Sequence, residues 1–238
     1  MDHKRKSMKL VLLPGMDGTG LLFKPFIDLA DTFEVDIIGY PLDKFLTYSE
    51  LTDYVRELLP KDKEFILVAE SFSGPVVYQL MKKRTPKLIS AVFIASFISS
   101  PRPIMLPMLK RLPLSMLFSV PIPKFIIRRY LLGSKANDEL IRQFKEAIKK
   151  VNPEVLAKRL KMLAEIEVPK ERISYRCCYV QANSDSLVPE SNIGIFKKLF
   201  DDISIKKVDG PHFLLQANPE GCLRVINEEI RRLSNRSG

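Results

Sequence analysis

Short apolar runs bounded by turn residues recur along the chain, at Lys9–Leu13, Val35–Gly39, Glu64–Ala69, Ile89–Ser96, Ser174–Val180 and Ile203–Val208. Runs of this length, apolar on successive positions, are the pattern of strands buried on both faces of a parallel sheet. Between them apolar residues recur at helical spacing, over Leu21–Thr32, Tyr48–Leu59, Val76–Lys83, Ser191–Phe200 and Pro219–Leu233. Thr47, with Glu50 three residues on, forms a capping box at the start of the second of these. Strands that alternate with helices require right-handed crossovers. The pattern therefore predicts an α/β fold: a mostly parallel sheet of about six strands with helices on both faces.

The alternation stops after Ser96. From Ser99 to about Val168 the chain is rich in proline and then helical, with Asn137 and Asn152 as caps and Pro153 at a first helical position. This predicts a helical lid, residues 99–168, inserted into a core made of residues 1–98 and 169–238. A chain of 238 residues is long enough for one such domain with one insertion.

Composition narrows the class. Apolar residues make up 46% and charged residues 28%, ordinary values for a globular domain. The basic leader Met1–Lys9 is followed by an apolar run that Pro14-Gly15 halts too early for a signal peptide. The stretch Ile104–Leu132 is interrupted by prolines and basic residues, so it does not supply a membrane span. Cys177, Cys178 and Cys222 lack metal-ligand spacing and read as reduced core thiols. These features together predict a cytoplasmic protein with neither metal nor organic cofactor. The net charge is +10, and Pro101–Gly133 holds six basic residues (Arg102, Lys110, Arg111, Lys124, Arg128, Arg129) and no acid. Such a field suits an acidic carrier protein or an anionic membrane surface; the neighbours are aliphatic and no nucleic-acid module is present, so nucleic acid is not an expected partner.

Three stretches carry candidate chemistry: Ala69-Glu70-Ser71-Phe72-Ser73-Gly74, Asn183-Ser184-Asp185-Ser186 and Asp209-Gly210-Pro211-His212. The chain has two histidines, and His3 lies in the leader, which leaves His212 as the imidazole available for proton transfer near neutral pH. Ser71 follows a predicted strand and precedes a predicted helix. Small residues, Ala69 and Ser73, flank it at two positions on either side, as a tight strand-to-helix turn requires. Glu70 and Phe72 fall at positions free to point away, with Glu70 close enough to raise the pKa of the base. Taken singly, Ser71 also reads as a helix cap, Asp185 as a turn residue and His212 as a satisfied histidine. Their order, serine then acid then histidine, with each after a strand, favours a nucleophile, an orienting acid and a base. A glycine-bearing loop, Pro14-Gly15-Met16-Asp17-Gly18-Thr19-Gly20, follows the first strand. It lacks the third glycine of a dinucleotide fingerprint and the Gly-Lys-Ser/Thr of a phosphate loop. Backbone amides of Met16 and Phe72 are the candidate oxyanion donors, and Gly15 of the same loop is a candidate substrate-binding residue.

On these residues the sequence resembles the α/β-hydrolase superfamily, in particular its small lipase, esterase and thioesterase-like members with a lid. Val68–Gly74 resembles their nucleophile elbow, although glycine, often followed by histidine, is commoner where Ala69 and Glu70 stand. Pro14–Gly18 resembles their oxyanion loop, and Asp185–Pro189 and Gly210–Phe213 their acid and base segments. The resemblance covers nearly the whole chain and implies a minimal sheet, because two leading strands frequent in the family have no counterpart here.

The resulting expectation is a serine hydrolase that cleaves acyl esters through an acyl-enzyme. A thioesterase acting on coenzyme A or carrier-bound acyl groups is a second reading, and a noncatalytic binder on the same fold a third. The apolar lid residues Met105, Met108, Leu112 and Met116 are candidates for contact with an acyl chain; packing of the lid onto the core is the alternative.

Overall fold

The computed structural model describes residues 8–109 and 112–234. Six strands form one sheet: β1 (Lys9–Leu13), β2 (Glu34–Ile37), β3 (Phe65–Glu70), β4 (Leu88–Ile94), β5 (Ile173–Ala182) and β6 (Phe200–Val208). Their order is β2-β1-β3-β4-β5-β6, and every neighbouring pair is parallel. Parallel pairing makes both faces interior, and the residues of β1, β3 and β4 alternate between two apolar layers. Val11, Leu67, Phe93, Cys177 and Tyr179 face one layer, and Leu10, Ile66, Val92, Cys178 and Val180 the other. The adjacent cysteines of β5 thus point to opposite faces of the sheet.

Helices Tyr48–Leu58, Gly74–Lys82 and Ile193–Leu199 cover the first face, and Lys24–Ile27 and Pro219–Ser234 the second. The capping box at Thr47 is closed in both directions: Glu50 N–H donates to Thr47 Oγ1, and Thr47 N–H donates to Glu50 Oε2. The helix expected over Leu21–Thr32 is a 3-10 turn, Leu21–Phe23, followed by the single helical turn Lys24–Ile27. Phe23, Phe26 and Ala30 do face the sheet, but Gly20 enters in the left-handed region at φ 69° and Asp28 closes the helix. The helical spacing was correctly placed and too long.

Between β4 and β5 the described residues form no strand. Helices Leu106–Leu109, Leu114–Ser119, Lys124–Ile126, Asp138–Lys150 and Pro153–Leu163 follow one another, with a π-helical turn over Ile127–Leu132. Asn137 and Asn152 cap the two long helices through their side-chain oxygens. Ile127, Leu132, Ile141 and Phe144 make a small apolar centre of their own with Leu22 of the 3-10 turn Leu21–Phe23. Of the basic residues noted in this region, Lys110 and Arg111 lie outside the described residues, as does His3. Among the described residues no helix is long and apolar enough to cross a membrane.

Candidate active site

The C-terminal ends of β3, β5 and β6 bring Ser71, Asp185 and His212 together. Ser71 stands immediately after β3 with φ 46°, a left-handed conformation that a serine adopts only when its surroundings hold it there. Four hydrogen bonds around it hold the turn. Ser96 Oγ donates to the Ser71 carbonyl at 2.6 Å, and Tyr179 Oη donates to the Ser96 carbonyl at 3.0 Å. Ser73 Oγ donates to the Pro14 carbonyl and shares a short hydrogen bond with Tyr40 Oη. Gly74 then lets the following helix approach the chain after β4: a Cβ at this position would lie 2.0 Å from the Phe97 carbonyl oxygen. Together these contacts leave the Ser71 side chain half-buried at the sheet rim.

His212 Nε2 lies 2.8 Å from Ser71 Oγ, and Nδ1 lies 2.9 Å from Asp185 Oδ2. A carboxylate accepts from Nδ1–H, which leaves Nε2 as the acceptor for the serine hydroxyl. Asp185 is itself held: its Oδ1 accepts from the Leu187 and Val188 amides at 2.8 and 2.9 Å. Its side chain is 1% exposed and that of His212 is 5% exposed, so water does not compete for the bond between them. The two loops are joined by Ser184 N–H donating to the Gly210 carbonyl. Gly210 has φ 152°, and a Cβ there would meet Leu214 Cδ1 at 2.6 Å, which accounts for a glycine two residues before the histidine.

The loop after β1 abuts the serine. A Cβ on Gly15 would lie 4.0 Å from Ser71 Cβ, and the Gly18 amide closes the turn onto the Gly15 carbonyl at 3.1 Å. Asp17 is buried and accepts from the Thr19 amide at 2.9 Å. The turn is pinned from outside by Arg159, on the helix Pro153–Leu163, which sequence reasoning did not single out. Its Nη1 donates to the Met16 and Asp17 carbonyls at 2.9 and 3.1 Å and its Nη2 to the Pro41 carbonyl at 2.7 Å. Arg159 is 1% exposed, and its guanidinium carbon lies 5.9 Å from the Phe72 ring centroid. The only signal it left in the sequence was a basic residue at an apolar phase of its helix.

One expectation about the elbow is corrected. Glu70 and Phe72 do not point away: they are 1% and 0% exposed. Phe72 packs on Tyr48 with ring centroids 5.0 Å apart, and Glu70 lies under the loop near Gly15, Gln216 and Asp17. Burial, reinforced by Asp17, pushes the Glu70 carboxyl up to about 7. The acid beside Ser71 is therefore only partly ionised around neutral pH, and His212 is among the groups that favour its ionised form. Neither Glu70 oxygen closes a hydrogen bond, and the Gln216 amide beside it is equally unpaired.

The four apolar lid residues lie at the surface. Met105, Met108, Leu112 and Met116 are 49%, 71%, 48% and 69% exposed. Leu106 and Leu114 take the inward positions of the two short helices, and a residue two further along a helix faces the opposite side. A separate cavity of about 800 Å³ lies between the helices Tyr48–Leu58, Gly74–Lys82 and Pro153–Leu163. Phe45, Tyr48, Tyr78 and Met162 supply apolar lining, and Lys82, Lys83, Lys158 and Lys161 supply positive charge beside the carboxylates of Glu165 and Glu167. None of the four lid residues lines it, nor do Ser71 and His212.

No protein-family model matches the sequence, and no curated protein matches it. Solved structures do match. A lipase-esterase related protein from Clostridium acetobutylicum superposes with a TM-score of 0.73 at 15% identity, covering 94% of this chain and 95% of the other. A thermophilic esterase from Thermogutta terrifontis gives 0.65 at 15% identity, over 96% and 91%. The RedJ thioesterase of the prodiginine pathway in Streptomyces coelicolor gives 0.65 at 16% identity, over 94% and 85%. The chain thus has the α/β-hydrolase fold, shared over almost its full length with proteins whose sequences have diverged widely from it.

Proposed function

We propose that this protein is a serine hydrolase that cleaves acyl esters through an acyl-enzyme. The observation that carries the reading is the hydrogen-bonded series Ser71–His212–Asp185, at 2.8 and 2.9 Å, with the serine held in a strained left-handed turn. Ser71 Oγ attacks the ester carbonyl carbon while His212 Nε2 takes its proton. Asp185 keeps the imidazole oriented and stabilises the imidazolium that forms. The amides of Met16 and Phe72 donate to the developing oxyanion, each worth about 3 kcal/mol in the transition state. Collapse expels the alkoxide, which leaves with the proton from His212. Water, deprotonated by His212, then attacks the acyl carbon and the acid departs, restoring Ser71.

Residues 99–168 act in this reading as a cap. Its support is their contact with both functional loops: the Phe213 amide donates to the Leu131 carbonyl at 3.2 Å, Gly133 packs on Pro211, and Arg159 holds the Met16 loop. A second reading within the same chemistry has a thiol carrier such as coenzyme A as the leaving group; Lys158 and Lys161 at the cavity are the cations it would meet, beside Glu165 and Glu167 of the same lining and with Lys82 and Lys83 already paired to Glu171 and Asp53. Tyr48 of that cavity packs directly on Phe72, next to the nucleophile.

Treatment of wild type and Ser71→Ala with a serine-reactive phosphonate, read by intact mass, tests the proposal. One adduct on the wild type and none on the variant is the expected result; a label on Ser73, or on neither protein, overturns it. Aryl esters, acyl thioesters and carrier-bound esters assayed side by side then separate the two leaving-group classes.

A further inference from the structure

We propose that the surface between Pro103 and Tyr130 docks the protein onto an anionic lipid bilayer. Ile104, Met108, Met116, Leu117, Val120 and Phe125 are 88%, 71%, 69%, 61%, 62% and 70% exposed, all within 22 residues of one another in the chain. Scattered single exposed apolar residues are ordinary, but a concentration of large ones marks a surface that meets something. In the two short helices Leu106–Leu109 and Leu114–Ser119, Leu106 and Leu114 are buried and Phe118 packs on the helix Pro153–Leu163, while Met108, Met116 and Leu117 stay outward.

Charge selects the occupant. Pro101–Gly133 contains no carboxylate, and Lys110 and Arg111 stand in the sequence among the exposed aliphatics. Lys124 and Arg128 share the single carboxylate of Asp138, and Arg129 stacks over the Tyr130 ring at 5.2 Å with no carboxylate partner among the described residues. Cations interleaved with Met, Ile, Leu and Phe suit the boundary between anionic headgroups and acyl chains. A second copy of the same surface would set cations against cations. With no helix able to cross a membrane among the described residues, the association is peripheral.

The surface is tied to the site at both ends. Arg102 donates to the Ser186 and Leu187 carbonyls, just after Asp185, at 2.7 and 3.0 Å. Leu131 accepts from the amide of Phe213, next to His212. A bilayer that holds this segment therefore holds the two loops that carry the acid and the histidine. Docking itself does not depend on the hydrolase reading and is measured without turnover.

The test is sedimentation with phosphatidylcholine vesicles and with vesicles of equal parts phosphatidylcholine and phosphatidylserine. The wild type is expected to pellet with the anionic vesicles, less as salt is raised, and weakly with the neutral ones. The triple variant Met108→Asp, Met116→Asp, Phe125→Asp is expected to lose about tenfold or more of that binding at an unchanged melting temperature. Lys124→Gln with Arg129→Glu, a surface change that leaves the apolar residues in place, is expected to weaken binding to the anionic vesicles alone. Failure of the wild type to pellet with either vesicle overturns the proposal, as does undiminished pelleting of both variants. So does a wild-type dimer in gel filtration that the triple variant abolishes, or retention by an acidic carrier protein without vesicle binding.

Discussion

Arg159 Nη1 donates to the carbonyl oxygen of Met16 at 2.9 Å, across 143 residues of sequence. Because the same guanidinium also reaches Asp17 and Pro41, it fixes the tilt of consecutive peptide planes in the loop beside Ser71. A planar fork does this; an ammonium on a lysine stem cannot span three carbonyls. Arg159→Lys is expected to lower kcat on an acyl ester roughly tenfold or more with KM little changed, since the loss falls on oxyanion geometry rather than on ground-state binding. Steady-state kinetics alongside a thermal melt decide the matter, and a variant that loses stability while kcat is retained would contradict the positioning role.

Ser71 has φ 46°, where a side chain beyond glycine is strained. Ser71→Ala keeps that strain and Ser71→Gly relieves it. Both variants are expected to be inactive in ester hydrolysis, and the glycine form to be the more stable by about 1 kcal/mol. Urea unfolding of the pair checks this. Equal midpoints would mean that the turn relaxes out of the left-handed region once the hydroxyl is gone.

The strands were readable because burial on both faces leaves a continuous apolar run, and β1 begins and ends at the residues the pattern indicates. Ser71, Asp185 and His212 each stood after such a run, so their approach to one another follows from the sheet. Arg159 was not readable. In the sequence Lys158-Arg159-Leu160-Lys161 it stands at the apolar phase of its helix, but the backbone carbonyls that receive it come from the remote loops at Met16 and Pro41, which the helix pattern does not reveal. Tyr40 and Ser96 were silent for the same reason: their partners are remote backbone or side-chain groups. The lid residues show a different limit. Their composition announced an apolar segment, but which way each side chain turns depended on Leu106 and Leu114 taking the inward positions.

Asp185 accepts from His212 and from two amides of its own loop, so its charge does more than fill space. Asp185→Asn removes the charge that stabilises the imidazolium and allows the amide NH2 to face Nδ1, favouring the wrong imidazole tautomer. The expected result is a fall in kcat of about 10³- to 10⁴-fold on an ester substrate, with labelling of Ser71 by a phosphonate slowed in parallel. A loss of less than about tenfold would remove Asp185 from the proposed relay.

Glu70 makes the stability of the protein depend on pH in a definite direction. In the unfolded chain its carboxyl ionises near the ordinary value of 4.5, whereas in the fold burial and then Asp17 hold the proton up to about 7. Between those two values the native state binds more protons than the unfolded state, so stability falls as pH rises through this window. Below it the group is protonated in both states and contributes no penalty; above it the full penalty, on the order of 3 kcal/mol, is present. Gln216 and the Gly15 amide oppose the shift only in part, since no hydrogen bond to either oxygen closes. Glu70→Gln, which keeps the shape and removes the ionisation, is expected to match the wild type near pH 4 and to exceed it by about 2 to 3 kcal/mol near pH 9 in urea unfolding. A stability gain that is the same at both pH values would assign the effect to packing around Gln216 rather than to the buried carboxyl.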